Sequence, residues 1–211
     1  MNYDLLESDL TTVLAEGRLV AEETTRTFGR LSTQQANWKP ADREWSIGQC
    51  FDHLIISNRP YAERIIPEVL EGRRRSRAWE RMPLLPRFFG RLLIKMLRPD
   101  SGRKAKARPA FQPSSSQIDP GIVATFVEQQ LRLLKLMEAT RGCDLDAITI
   151  TSPVARVVTY SLMDVYRLIV VHEQNHFVQA QQVMASPGFP VDASSATSVG
   201  TPRPAPRQDP W

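Results

Sequence analysis

Cysteine, histidine, long apolar runs and strand-like alternation are all scarce in this chain. It has two cysteines in 211 residues, Cys50 and Cys143, too few for a disulfide framework. That usage fits a reducing compartment, with one possible Cys50–Cys143 pairing left open by the spacing. No apolar run approaches the ~20 residues that a membrane-spanning helix requires. The N-terminal Met1-Asn2-Tyr3-Asp4 is acidic where a secretory signal would be basic. A cytoplasmic protein is therefore expected. With 42% hydrophobic and 24% charged residues, collagenous, coiled-coil and wholly disordered classes are excluded. A chain of this length can bury roughly 70% of its unfolded surface, enough for one domain with a real core.

The charge is unevenly laid out. Residues 72 to 108 hold thirteen lysines and arginines against Glu80 and Asp100, a local balance of +11 within a total of +4, so the rest of the chain carries −7. Six of the sixteen prolines fall between Pro83 and Pro120 and six more follow Ala185. The expected organisation is a folded body over residues 1–185, a basic crossover or insert over 72–116, and a tail over 186–211. The tail, rich in Pro, Ala, Ser and Thr, buries too little apolar surface to offset its ordering entropy and is expected to be flexible.

Four segments have helical periodicity. Leu6, Leu10, Val13, Gly17, Val20, Thr24 and Phe28 form the first stripe, with small residues where another backbone can approach. Ser46 is placed to cap a second helix carrying Ile47, Cys50, Phe51, Leu54, Tyr61, Ile65 and Val69. Pro60 and Pro67 predict a kink or split near Arg59. Asp119 as cap and Pro120 at the first position predict a third helix through Val123, Phe126, Val127, Gln130, Leu131, Leu134 and Met137, ended by Gly142. The fourth carries Leu162, Val165, Ile169, His172, His176, Gln179 and Val183. Ala147 to Thr151 is a short β-branched run, and nothing alternates long enough to build a sheet. The expected fold is all-α: a four-helix bundle of up-down-down-up course, with a long crossover between helices 2 and 3.

The three histidines are His53 on the second helix and His172 and His176 on the fourth. Residues four apart on a helix share a face, so His172 and His176 can aim at one point, and His53 can supply a third nitrogen from a facing helix. Three imidazoles with an open further position suit a catalytic mononuclear metal site. Burying such a pair unpartnered would cost ~1–3 kcal/mol per group, which a shared cation removes. Structural core histidines are the plainer alternative. Ligand type admits zinc, nickel, cobalt, iron or copper. The segment His172-Glu173-Gln174-Asn175-His176 also spells H-E-x-x-H, in which a glutamate serves as general base. No glutamate follows Glu173 and no histidine follows His176, so the downstream third ligand of such peptidases is missing.

These motifs resemble the DinB-like (DinB/YfiT-like) superfamily. The matching segments are Asn37-Trp38-Lys39-Pro40, the Trp45-to-Leu54 stretch ending in His53-Leu54, Phe111-Gln112-Pro113, and Tyr160-Ser161 through His172-x-x-x-His176 to Gln179. The likeness covers roughly residues 5 to 185. It implies a four-helix bundle holding one divalent ion, zinc or nickel in many members, on His53, His172 and His176. It also implies metal-dependent hydrolysis or S-transfer with a low-molecular-weight thiol, a small-molecule substrate and a common tendency to homodimerise.

Other residues take roles from position. Glu173 is the candidate general base, although its place on the helix turns it toward a neighbouring helix or solvent. Gln179 can line the pocket or support a ligand. Cys50, one turn before His53, reads as a small buried hydrophobe or a soft fourth ligand. Asp52 and Asp164 read as surface ion pairs or ligand-orienting groups. In the basic segment, Arg73-Arg74-Arg75 and Pro86 to Arg98 combine cations with apolar residues at helical spacing. This suits an insert helix covering the bundle through Phe88, Leu92 and Leu93, or peripheral contact with an anionic membrane or a protein by a non-catalytic, metal-stabilised bundle. Nucleic-acid binding lacks a recognisable module or stacking platform.

Overall fold

The computed structural model describes residues 1–72, 85–99, 109–153 and 158–190, and within them the chain is mostly helical with one small sheet. Helix α1, Leu10–Phe28, starts where Asp9 accepts the Thr12 amide at 2.8 Å. The short α2, Thr33–Asn37, and α3, Ile47–Pro60, each open on a capping box, Ser32 with Gln35 and Ser46 with Gln49. Reciprocal side-chain and backbone hydrogen bonds thereby satisfy two otherwise orphaned donors at each start.

The expected interruption of the second helix falls immediately after Arg59. Pro60 ends α3, a π-helical turn follows over Tyr61–Ile65, and α4 continues over Ile66–Leu70 with Pro67 in its first turn. A proline without an N–H leaves a gap in the hydrogen-bond ladder, and here the ladder widens rather than stops. Later come α5, Leu85–Leu97, α6, Ile122–Ala139, and α7, Leu162–Met184. α6 begins later than its sequence signals suggest. Asp119 accepts the Gly121 amide at 2.7 Å and so shapes a lead-in turn, while Gly121 occupies the cap position. It also ends earlier, at Ala139, before Gly142. On α7, Ser161 is the cap and accepts the Asp164 amide at 3.0 Å.

Strands β1, Thr149–Thr151, and β2, Thr159–Ser161, pair antiparallel with Ile150 opposite Tyr160. The last three residues of the β-branched run, Thr149 to Thr151, therefore form a strand, and its partner is three residues long, too short to show alternation. No helix among the described residues is long and apolar enough to cross a membrane.

α1 and α3 each pack against both α6 and α7. The core divides into two clusters. One gathers Leu14, Leu133, Leu134, Tyr166 and Val170 with the Tyr61 and Tyr160 pair, whose hydroxyls are 2.7 Å apart. The other is aromatic: Phe28 meets Phe51 and Phe177 edge-on, both at 5.4 Å between ring centres. The small residue read on the first stripe does admit a neighbour, since a Cβ on Gly17 would lie 2.6 Å from Leu134 Cδ2.

α5 packs on α7 and β2, with Ile94 fully buried, Leu93 partly so and Leu92 41% exposed. A Cβ on Gly90 would stand 2.9 Å from Asp164 Cβ. Asp164 precedes His172 by eight residues, about 12 Å along the helix axis, so this contact lies toward the start of α7. Arg91 pairs with Glu7, and Arg98 with Asp4 at 3.2 Å. Arg73, Arg74, Arg75 and the side chain of Phe88 lie outside the described residues, as does the expected tail from 191 onward. Of its first residues, 186–190, two make contacts with the body: after a turn at Gly188, φ +86°, Phe189 meets Trp38 edge-on at 5.6 Å, and the Pro190 carbonyl accepts from Gln35 at 3.0 Å. The positive φ suits a residue without a Cβ.

Candidate metal centre

α3 presents His53 and α7 presents His172 and His176 to one point between the two helices. Nε2 of His172 lies 3.2 Å from Nε2 of His53 and 3.1 Å from Nε2 of His176, and one ligand nitrogen from each ring lies within 4.8 Å of the others. His53 and His176 are buried and His172 half-buried. An ion held tetrahedrally at about 2.0–2.1 Å from imidazole nitrogens separates them by about 3.3 Å. The spacing therefore fits a shared divalent ion.

The outward nitrogens of two rings are fixed. Nδ1 of His53 donates to the Phe111 carbonyl at 2.5 Å, and Nδ1 of His176 donates to Gln179 Oε1 at 2.8 Å. A carbonyl oxygen only accepts, so the proton stays on Nδ1 and the Nε2 lone pair faces the centre. The loop carrying Phe111 is itself tied to α3: Asp52 accepts the Ser114 amide at 2.5 Å and Gln49 donates to the Ser115 carbonyl at 3.0 Å. Trp45, just before the α3 cap, lies against two of the rings, tilted to His53 at 4.9 Å and stacked on His176 at 5.7 Å and 21°. Ser57 Oγ stands 3.4 Å from Nε2 of His53.

Burial lowers the pKa of all three histidines. For His53 the Phe111 hydrogen bond and the Asp52 charge oppose it. His172 is pushed well below its usual value by burial and then by the His176 and His53 rings, and His176 is pushed down to about 3 by burial and His53 against the Gln179 hydrogen bond. Near neutral pH all three are in the uncharged form that ligates metals.

The model of the DinB superfamily matches residues 18–180. The chain belongs to the DinB superfamily. No curated protein and no solved structure matches it.

The remaining candidates of this DinB-superfamily chain separate by position. Gln179 touches His176. Cys50 does not join the cluster: its side chain is fully buried in the aromatic core and burial pushes its thiol up to about 12, so it packs as a small hydrophobe. Both cysteines are free, Cys143 being exposed. Glu173 is fully buried with both oxygens engaged, by Asn58 Nδ2 at 2.7 Å from α3 and by Gln130 Nε2 at 2.6 Å from α6. Asp52 and Asp164 are buried rather than on the surface; Asp164 pairs with Arg167 at 2.9 Å, and Asp52 anchors the Phe111 loop. Trp45 and the Phe111 carbonyl were not among the site residues read from sequence. Both belong to quoted motifs, but a backbone acceptor carries no signature, and a tryptophan before a cap reads as packing.

Proposed function

We propose that α1, α3, α6 and α7 form a four-helix bundle of up-down-down-up course, built to hold one divalent ion, zinc or nickel, on His53, His172 and His176. Its activity is metal-dependent hydrolysis, or S-transfer with a low-molecular-weight thiol, on a small molecule. The observation that carries this reading is the convergence of three uncharged Nε2 atoms, two of them with their tautomer fixed from behind. Without a cation, three imidazoles share at most one proton at their meeting point, an arrangement that burial penalises.

When bound, such an ion supplies Lewis acidity and lowers the pKa of a coordinated water or thiol toward neutrality. The protein's own contribution is positional. Phe111 and Gln179 orient His53 and His176, and Trp45 shields one side of them from water. Glu173 is read as a structural carboxyl joining α3, α6 and α7, not as a general base, because its oxygens are occupied by Asn58 and Gln130. The pairing of Arg91 and Arg98 with Glu7 and Asp4 favours α5 as a packed insert over a free basic arm.

Metal content by mass spectrometry on untagged protein tests the proposal. About one zinc or nickel per chain is expected in wild type, lost in His53→Ala and in His176→Ala. An absence of bound metal, with no uptake of either ion on titration, refutes it.

A further inference from the structure

A hydroxyl inside a helix can return to the carbonyl four residues back. Thr25 and Thr125 do so, to Ala21 and Gly121, at 3.0 and 3.1 Å. Ser57 differs. Its Oγ is directed to the imidazole four residues back, 3.4 Å from the Nε2 of His53 that faces the centre. The Nδ1 of that ring is already committed to Phe111, so the lone pair Ser57 meets is the one a metal ion would take. Once the lone pair is taken, the serine proton is released to another acceptor at the same place.

The donor set also sets the charge of what completes the site. Among the described residues the cluster consists of three histidines with no carboxylate, and neutral ligands leave a divalent ion's +2 charge uncompensated in a largely buried setting. Such a site favours an anion as its further ligand, and an anion is the acceptor a hydroxyl binds best.

We infer that Ser57 is a positioning residue for the exogenous ligand: its hydroxyl, one turn beyond His53, donates a hydrogen bond to the anionic atom that completes the coordination of the ion. This rests on the metal-binding reading above and extends it to the class of ligand taken, a small anion or an anionic substrate atom. No proton is transferred in this step; the hydroxyl exchanges one acceptor for another.

Cobalt-loaded wild type, Ser57→Ala and Ser57→Thr are titrated with azide while the visible cobalt bands are followed, after cobalt affinity has been measured for each by competition with a chelator. Cobalt affinity is expected to agree within about twofold among the three. Azide affinity is expected to fall about tenfold in Ser57→Ala, the loss of one hydrogen bond to a charged group, and to recover in Ser57→Thr. Equal azide affinity in all three chains, or a fall that threonine does not restore, overturns the inference and leaves the metal centre standing. Loss of cobalt binding in Ser57→Ala makes the serine a support for His53 and also overturns it. A wild type that takes up no cobalt removes the metal reading and this inference together.

Discussion

Replacing Glu173 by Gln should change the pH dependence of stability more than the stability itself. Burial raises the Glu173 carboxyl from its ordinary 4.5 to about 8, with the Asn58 and Gln130 hydrogen bonds opposing the shift. A carboxyl whose pKa is higher folded than unfolded holds its proton more tightly in the folded state. Its stabilising contribution is therefore complete below the unfolded value and is lost as pH rises through the folded value. Between the two the loss is about 1.4 kcal/mol per pH unit, or about 2.5 kcal/mol between pH 5.5 and 7.5. Glutamine has the same shape, carries no charge and still offers an oxygen to Asn58 or Gln130. Urea unfolding of wild type and Glu173→Gln at pH 5.5, 6.5 and 7.5, at a fixed metal concentration, gives the difference between the chains, in which the titration of the neighbouring histidines cancels. The variant should gain on wild type by about 2.5 kcal/mol across that range. A constant difference would show that the Glu173 carboxylate is charged throughout and that its two amide partners outweigh burial. That result would refute the reasoning and reopen its assignment as a base.

Three further outcomes follow from single contacts. Gln179→Leu removes the acceptor behind His176, and zinc or nickel affinity measured against a chelator should fall about 10- to 100-fold without loss of the fold; unchanged affinity would show that the His176 ring is oriented by packing alone. Gly90→Ala puts a methyl group against Asp164 Cβ, and the urea midpoint should drop by an amount equivalent to about 1–3 kcal/mol, whereas an unshifted midpoint would show that α5 gives way freely. A thiol reagent should modify Cys143 in the native chain and Cys50 only after denaturation, because the first is exposed and the second fully buried; rapid native labelling of both contradicts the packing of the aromatic core.

The helices with strong local punctuation were legible in the sequence. Ser46 as a cap and the three-four spacing from Leu162 to Val183 mark two of the site's elements by local chemistry alone, and those two carry all three histidines. Where competing local signals met, tertiary structure decided. Asp119-Pro120 has the form of a helix start, yet the Asp119 side chain serves a turn instead and the helix waits for Ile122. Pro60 predicted a break, and the chain met the missing hydrogen bond by a π turn that keeps α3 and α4 on one continuous path. β1 showed as a β-branched run, but β2 and the pairing escaped because a three-residue strand is too short for a period of two to show. The start of the tail, 186–190, was read from composition as unstructured, but Phe189 supplies the apolar contact with Trp38 that the average over 26 residues concealed.

At the centre, spacing revealed which residues meet but not what holds them. An i, i+4 histidine pair with a third histidine on a facing helix can be read directly, since helical geometry turns those intervals into a common direction. Orientation of the rings is a different problem, because it depends on acceptors that the sequence does not mark. One is the backbone carbonyl of Phe111, 58 residues from His53 and delivered by a loop that Gln49 and Asp52 hold in place. Thus α3 contributes one histidine of the cluster and, through Gln49 and Asp52 on the same helix, the anchorage of the loop that orients it. That coupling explains why an aspartate next to a histidine of the cluster can be buried without joining it. Its carboxylate stabilises the loop amide of Ser114, and the loop returns a carbonyl that fixes the imidazole proton away from the centre. Asp52→Ala should therefore weaken metal binding, although Asp52 is no ligand, whereas Asp52→Asn, which keeps an oxygen for the Ser114 amide, should retain most of it. Chelator competition on the two variants decides: equal losses would mean that the negative charge near His53 acts directly, and the loop would then have no part in setting the site.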